Sequence, residues 1–163
     1  KIISCKIMKF RTIIEIQIRE YDRRMLEKSW GWLNDPEIKR MTLTPDMDKK
    51  SQEEWFRGLK DRKDYYIAGV WRDDEPIGVL GIKHITSTDG ELFGYIGEKK
   101  YWGKAVGVDM MKRTLDYGRS LGLSSVYSLI GKDNINSYKL HRRFGFKKEK
   151  EGDEDKIKMR LYF

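Results

Sequence analysis

Ile13, Ile14, Ile16 and Ile18 fall among polar residues through residues 13–20, a period near two that predicts a half-buried first strand. The period then changes. Over residues 22–33, Met25, Leu26, Ser29, Trp30 and Trp32 recur at helical spacing, and Asn34-Asp35-Pro36 interrupts that helix at a point where another short one can begin. Ser51 with Glu54 three residues later forms a capping box ahead of Trp55, Phe56 and Leu59, which predicts a helix over 52–62. Residues 65–71, 77–85 and 91–97 are rich in aromatic and aliphatic side chains. They are separated by the turn-forming stretches Asp73-Asp74-Glu75-Pro76 and Ser87-Thr88-Asp89-Gly90, so three antiparallel strands joined by hairpins are expected. Val108, Met111, Leu115 and Leu121 lie on one helical face, with Gly122 placed as the left-handed residue that ends the helix. A strand over 125–130 and a helix over 137–144 closed by Gly145 follow. A final hairpin pairs 146–150 with 156–162 around Glu151-Gly152-Asp153. An antiparallel meander followed by a strand, helix and strand makes the class α+β around one central sheet, and chemistry is expected where strands separate.

The chain has 163 residues and 19.4 kDa, which fits one compact domain and leaves little room for two cores. No repeat, low-complexity run or linker marks a boundary, so residues 9–163 are expected to form a single domain. Residues 1–8 read as an N-terminal extension or cloning remnant, with Met8 as a natural start. No apolar run approaches the roughly 20 residues that span a bilayer, and residues 1–8 carry no secretory signal. A soluble, cytoplasmic protein without a membrane partner is the expectation. Cys5 is the single cysteine and there are two histidines, so neither an intrachain disulfide nor a metal site is expected. The net charge of +8, from 34 Lys and Arg against 26 Asp and Glu, favours an anionic ligand. The cations are spread through the chain rather than gathered in a basic tail, so a phosphorylated cofactor is the better candidate and no nucleic-acid partner is expected.

One segment narrows the choice. From Gly94 through Glu98 to Tyr101-Trp102-Gly103-Lys104-Ala105-Val106-Gly107, a strand runs through a small-residue loop into the start of a helix. The first N–H groups of a helix have no intrahelical partner, and the helix dipole adds about half a positive charge there, so a pyrophosphate can satisfy both. Gly103, Ala105 and Gly107 keep side-chain bulk small where phosphate must approach, and Lys104 can add charge. The alternative is a glycine-containing turn before an ordinary helix.

Here the sequence resembles the GNAT acetyltransferases. Residues Trp102 to Gly107 are similar to that family's acetyl-CoA pyrophosphate loop, Gln/Arg-x-x-Gly-x-Gly/Ala, with Trp102 at the Gln/Arg position and Ala105 at the first Gly position. Ala105 should be tolerated there with a negative φ. Asn134-Ile135-Asn136-Ser137-Tyr138-Lys139-Leu140-His141-Arg142-Arg143-Phe144-Gly145-Phe146 resembles the second signature, Asn-x-x-Ala/Ser-x-x-Leu-Tyr-x-x-x-Gly-Phe, with His141 in place of tyrosine. The resemblance implies a three-layer α/β/α sandwich with a mixed, mostly antiparallel sheet of about seven strands and about four helices. It also implies acetyl-CoA as co-substrate, with Ile96, Gly97, Glu98, Trp102, Gly103, Lys104, Ala105, Val106, Gly107, Val108, Asn134, Ser137 and His141 around it. Asn134 is expected to hydrogen-bond the pantetheine arm, Ser137 to open the helix, and His141, or Tyr138 one turn earlier, to protonate the departing thiolate. The alternative for His141 is a packing role beside the cofactor.

Acetyl transfer from a thioester to an amine needs a neutral amine, a carbonyl held against it and a proton for sulfur, with no covalent enzyme intermediate. The resemblance places the N–H that stabilises the carbonyl oxygen near Ile96 or Gly97. Glu98 is expected to take the amine proton, with Glu91 and His84 as alternatives. The acceptor is expected to be a primary amine of a small molecule such as a nucleotide-linked amino sugar, since Trp30-Gly31-Trp32 through Ile38 resembles a segment of amino-sugar and ribosomal-protein acetyltransferases. Trp30, Trp32 and His84 are its expected contacts, unless the tryptophans are core. A protein N-terminus, a polyamine or an antibiotic are alternative acceptors, and a non-catalytic acyl-CoA sensor is the alternative of another class. A monomer or homodimer is expected.

Overall fold

The computed structural model describes residues 14–149 and 155–163. Ile13, the proposed extension with Cys5, and the turn Glu151-Gly152-Asp153 with Lys150 lie outside the described residues. Seven strands and five α-helices follow in the order β1 (Gln17–Glu20), α1 (Arg23–Asn34), α2 (Pro36–Thr42), α3 (Lys49–Gly58), β2 (Tyr66–Arg72), β3 (Glu75–Lys83), β4 (Glu91–Ile96), α4 (Val106–Ser120), β5 (Ser125–Gly131), α5 (Ile135–Arg143), β6 (Lys147–Lys148) and β7 (Lys156–Tyr162). The sheet order is β1-β2-β3-β4-β5-β7-β6, and every neighbouring pair is antiparallel except β4 and β5. The fold is thus the α+β arrangement expected from the alternating and helical periods, with one helix more than the four expected.

Two details differ from the expected elements. Helix α3 starts at Lys49, because Asp48 rather than Ser51 is its cap: the Asp48 carboxylate accepts from Ser51 N–H at 2.7 Å. Between β1 and β2 there are three helices where the element order counted two, because the short one that Asn34-Asp35-Pro36 can begin does form: Asp35 caps α2 through Glu37 and Ile38 N–H and Pro36 occupies its first turn.

Three apolar clusters hold the layers together. Ile16, Ala68, Val70, Ile77 and Leu80 meet Val106 and Met110 of α4 on one face of the sheet. Tyr21, Met25, Leu26, Trp32 and Ile38 from the opening helical region cover the other face over Trp71 and Val79. Met111, Leu115, Val126, Ile130, Phe146 and Met159 form the third, which joins α4 to β5 and β7. Removal of this apolar area from water is the main favourable term in folding.

The sheet is nearly split. Strands β3 and β4 pair over six residues, Gly78–Ile96 to Lys83–Glu91, whereas β4 and β5 share a single register pair, Glu91 with Tyr127. Beyond that point the two parallel strands diverge.

Candidate active site

The divergence opens a cleft of about 1500 Å³, lined by β4 from Glu91 to Ile96, the start of α4, β5 from Ser128 to Gly131, the start of α5, and the chain around Met41 to Met47. Gly97 N–H donates to Ile77 C=O at 2.8 Å, which continues the β3–β4 register. Because antiparallel hydrogen bonding alternates, the odd-numbered residues of β4 turn their backbone polar groups to β3. Leu92, Gly94 and Ile96 turn theirs to the gap. Two contacts agree: Ser128 Oγ lies 3.2 Å from Leu92 C=O, and Trp102 Nε1 donates to Ile96 C=O at 2.9 Å. Gly97 N–H, expected near the reacting carbonyl, is therefore occupied, and Gly94 and Ile96 offer the N–H groups on the open edge. Gly97 is needed for space instead: a Cβ there would fall 1.9 Å from the Trp32 indole.

At the floor of the cleft the loop before α4 turns through two left-handed residues, Gly103 at φ +70° and Ala105 at φ +65°. The negative φ expected for Ala105 is not what the chain adopts. An L-residue in this region costs about 1–2 kcal/mol. Val108 and Asp109 N–H donate to Ala105 C=O, while the N–H groups of Gly103, Ala105, Val106 and Gly107 have no acceptor among the described residues. Trp102, Gly103, Ala105, Gly107 and Val108 line the cleft. Val106 instead drops into the core at 1% exposure, and Lys104 lies with its ammonium 5.8 Å from the Tyr101 ring, outside the lining.

Asn134, Ser137 and His141 of α5 face the same cleft. Asn134, not Ser137, opens this helix: its Oδ1 accepts from Ser137 N–H at 3.1 Å, and its Nδ2 donates to Met41 C=O at 3.3 Å, which ties α5 to α2. His141 is buried and stands edge-on to Phe146. Burial pushes its pKa below the ordinary 6.5, partly opposed by the Ser137 carbonyl. Nδ1 is 2.8 Å from that carbonyl and Nε2 is 2.9 Å from Ser128 Oγ. A carbonyl has no proton to give, so the neutral ring carries its proton on Nδ1, and Nε2 accepts from the Ser128 hydroxyl. In that form His141 offers Nε2 as an acceptor to Ser128, and the neutral ring has no proton on Nε2 to give. Tyr138 is turned into the apolar cluster below α5.

The expected base and the expected acceptor contacts are not gathered here. Glu98 leaves the cleft because its Oε1 accepts from Trp32 Nε1 at 3.2 Å and from Lys28 at 3.4 Å. Trp32 is core at 7% exposure, edge-on to Tyr95, and Trp30 is outside the lining. His84 is outside the lining, with Nδ1 3.0 Å from Glu91; Glu91 lines the cleft but also holds Lys83 at 3.2 Å. The aromatic side chains that do line the cleft on this side are Tyr21, Trp55, Tyr65, Phe93 and Tyr95. The alternation of 65 with 67 and of 93 with 95 put them on one face, a signal present in the strand pattern. Among the described residues no group of three or more His, Cys, Asp or Glu is placed to hold a metal, and no helix is long and apolar enough to cross a membrane.

A family model for the acetyltransferase (GNAT) domain matches residues 15–147. A protein of Methanocaldococcus jannaschii described as uncharacterised is 28% identical over 146 residues, 86% of this chain, and the chain spans 30% of that relative's length. A domain from the same organism shares the fold with a TM-score of 0.81 at 23% identity, over 91% of this chain and 99% of that one. Spermidine N-acetyltransferase of Vibrio cholerae, solved with CoA and spermine, gives a TM-score of 0.82 at 18% identity over 90% of this chain and 95% of its own. The N-acetyltransferase PseH of Campylobacter jejuni, solved with acetyl coenzyme A, gives 0.72 at 19% identity over 91% and 99%. The structural likenesses establish the fold, and the family match over most of the chain establishes the kinship: this protein belongs to the GNAT acetyltransferase-domain family.

Proposed function

We propose that the protein transfers an acetyl group from acetyl-CoA to a primary amine by direct attack in the gap between β4 and β5. The observation that carries this reading is the bare N-terminus of α4, where four N–H groups without acceptors among the described residues meet the positive end of the helix dipole at the cleft floor. The pyrophosphate satisfies these donors. Trp102, Gly103, Ala105, Gly107 and Val108 form its cradle, and Asn134, Ser137 and Arg143 flank the cofactor from α5. The pantetheine amides extend along the open edge of β4, and the N–H of Gly94 or Ile96 holds the thioester oxygen as it gains charge.

The acceptor enters from the aromatic side. Tyr21, Trp55, Tyr65 and Phe93 offer flat apolar faces, and Arg40 adds positive charge at the lining, while Lys83 is paired with Glu91. A net charge of +8 repels a polycation such as a polyamine. A small monoamine carrying a sugar or nucleotide with negative charge suits this wall best.

Calorimetric titration with acetyl-CoA tests the reading, on wild type and on Gly107→Trp. A Cβ at Gly107 meets only ordinary contacts, Leu140 at 3.6 Å and Ile96 at 4.0 Å, so the rest of the indole fills the cleft rather than the core. Micromolar binding in wild type and a loss of at least about 100-fold in the variant, or about 2.7 kcal/mol, are expected. Absence of binding in wild type overturns the reading.

A further inference from the structure

Direct attack leaves a proton unaccounted for. The amine nitrogen becomes positive when it bonds to the carbonyl carbon, and the sulfur needs a proton when the C–S bond breaks. Glu98 is turned out of the cleft, and Glu91 is held by Lys83 and His84. His141 and Ser128 both line the cleft, and the His141 Nε2 is engaged by the Ser128 hydroxyl.

We infer that Ser128 is the catalytic proton relay, with His141 behind it as the group that stores the proton between the two halves of the reaction. As the amine attacks, its proton moves to Ser128 Oγ while the Ser128 proton moves to His141 Nε2, giving an imidazolium. When the tetrahedral intermediate collapses, the C–S electron pair goes to sulfur. Ser128 gives its proton to that sulfur and recovers one from Nε2–H. The amide and the CoA thiol are the products, and both side chains return to their starting state.

Three features of the site support this. Ser128 is the residue next to Tyr127, the last one paired with β4, so its hydroxyl sits at the apex of the gap opposite the open edge of β4. Both charge states of the ring are fully bonded. In the neutral state Nδ1–H donates to Ser137 C=O and Ser128 donates to Nε2. In the charged state Nε2–H donates to Ser128 Oγ, whose own proton turns to Leu92 C=O at 3.2 Å. Finally, burial keeps the resting ring neutral, the form able to take a proton. A base oriented by a third group and joined to a hydroxyl is the arrangement that moves protons in acyl transfer.

The inference rests on the acetyl-CoA reading, and the experiment separates the two. Wild type, Ser128→Ala, Ser128→Val and Ser128→Thr are titrated with acetyl-CoA. CoA release is then followed with glucosamine as probe amine and with water alone, whose proton would travel the same route. Nitrogen NMR of the two histidines reads the ring states, with His84→Gln assigning the His141 signals. Expected are unchanged acetyl-CoA affinity in all four, a kcat about 100-fold lower in Ser128→Ala and Ser128→Val, and recovery to within about threefold in Ser128→Thr. Also expected are an Nδ1–H ring in wild type and a shift of the Nε2 signal in Ser128→Ala. Binding without loss of turnover in Ser128→Ala, equal loss in Ser128→Thr, or an Nε2–H ring in the free protein overturns the relay alone. No binding in wild type overturns it together with the reading beneath it.

Discussion

Helices α4 and α5 both aim their N-termini at the cleft, and they are finished in opposite ways. At α5, Asn134 accepts the Ser137 N–H and donates to Met41, so the end is closed and anchored. At α4 the residue in the capping position is Ala105, which has no side-chain acceptor, and the first N–H groups stay free. The remaining helices follow α5: Asp22, Asp35 and Asp48 each accept backbone N–H groups at the starts of α1, α2 and α3. Capping stabilises a helix by about 1 kcal/mol, so α4 forgoes stability at the place where a ligand can supply the missing acceptors. Its long apolar face, with Val106, Met110, Met111 and Leu115 buried, offsets the loss.

Giving α4 the acceptor it lacks should produce the largest effect. Gly107→Asp places a carboxylate among the free N–H groups and at the positive end of the dipole, and the Cβ has room. Acetyl-CoA affinity should fall by at least about 100-fold, since two anions compete for one site, while stability rises by about 0.3–1 kcal/mol. Calorimetry and urea unfolding on the same sample check both signs; unchanged affinity would break the contrast between the two helices. Next in size, Asn134→Ala should cost about 1 kcal/mol of stability through the lost cap. Because its effect is first on the scaffold, urea unfolding should change more than acetyl-CoA affinity, and the reverse would show that Asn134 serves the ligand before the helix. The smallest change belongs to Ala105→Gly. Relief of the left-handed strain is worth about 1–2 kcal/mol, opposed by roughly 0.4–1 kcal/mol from the freer unfolded chain, so a net gain of about 0–1.6 kcal/mol, centred below 1, is expected in thermal unfolding.

What the sequence shows and what it hides divide along the same line. The alternation of Ile14, Ile16 and Ile18 and the helical spacing of Met111 and Leu115 are local, and the structure places them as the pattern requires. The small-residue loop was also legible, because a strand running through glycines into a helix is a short-range signal. Ala105 was not, since nothing local announces a left-handed alanine. The roles expected of Glu98 and Gly97 depended on partners far along the chain. Trp32, 66 residues away, draws Glu98 out of the cleft, and Ile77 takes the Gly97 N–H through strand register. Ser128 carried no motif at all, and its meaning appears when β5 and α5 bring it to His141. Helix α3 begins ahead of the Ser51 capping box because the carboxylate of Asp48 accepts the Ser51 N–H, a contact that the capping-box spacing does not announce.

The single register pair between β4 and β5 has a mechanical consequence. The sheet is two plates, β1 to β4 and β5 to β7, whose strands share one register pair, Glu91 with Tyr127, and which are otherwise joined through α4, the Asp89–Arg160 ion pair and the Asn134–Met41 hydrogen bond. A ligand arm that hydrogen-bonds to the free edge of β4 occupies the position of an absent strand and splints the seam. Cofactor loading is then also a stiffening event. The amides of Gly94 and Ile96 should exchange with solvent fastest in the empty protein and slow most when the seam is bridged.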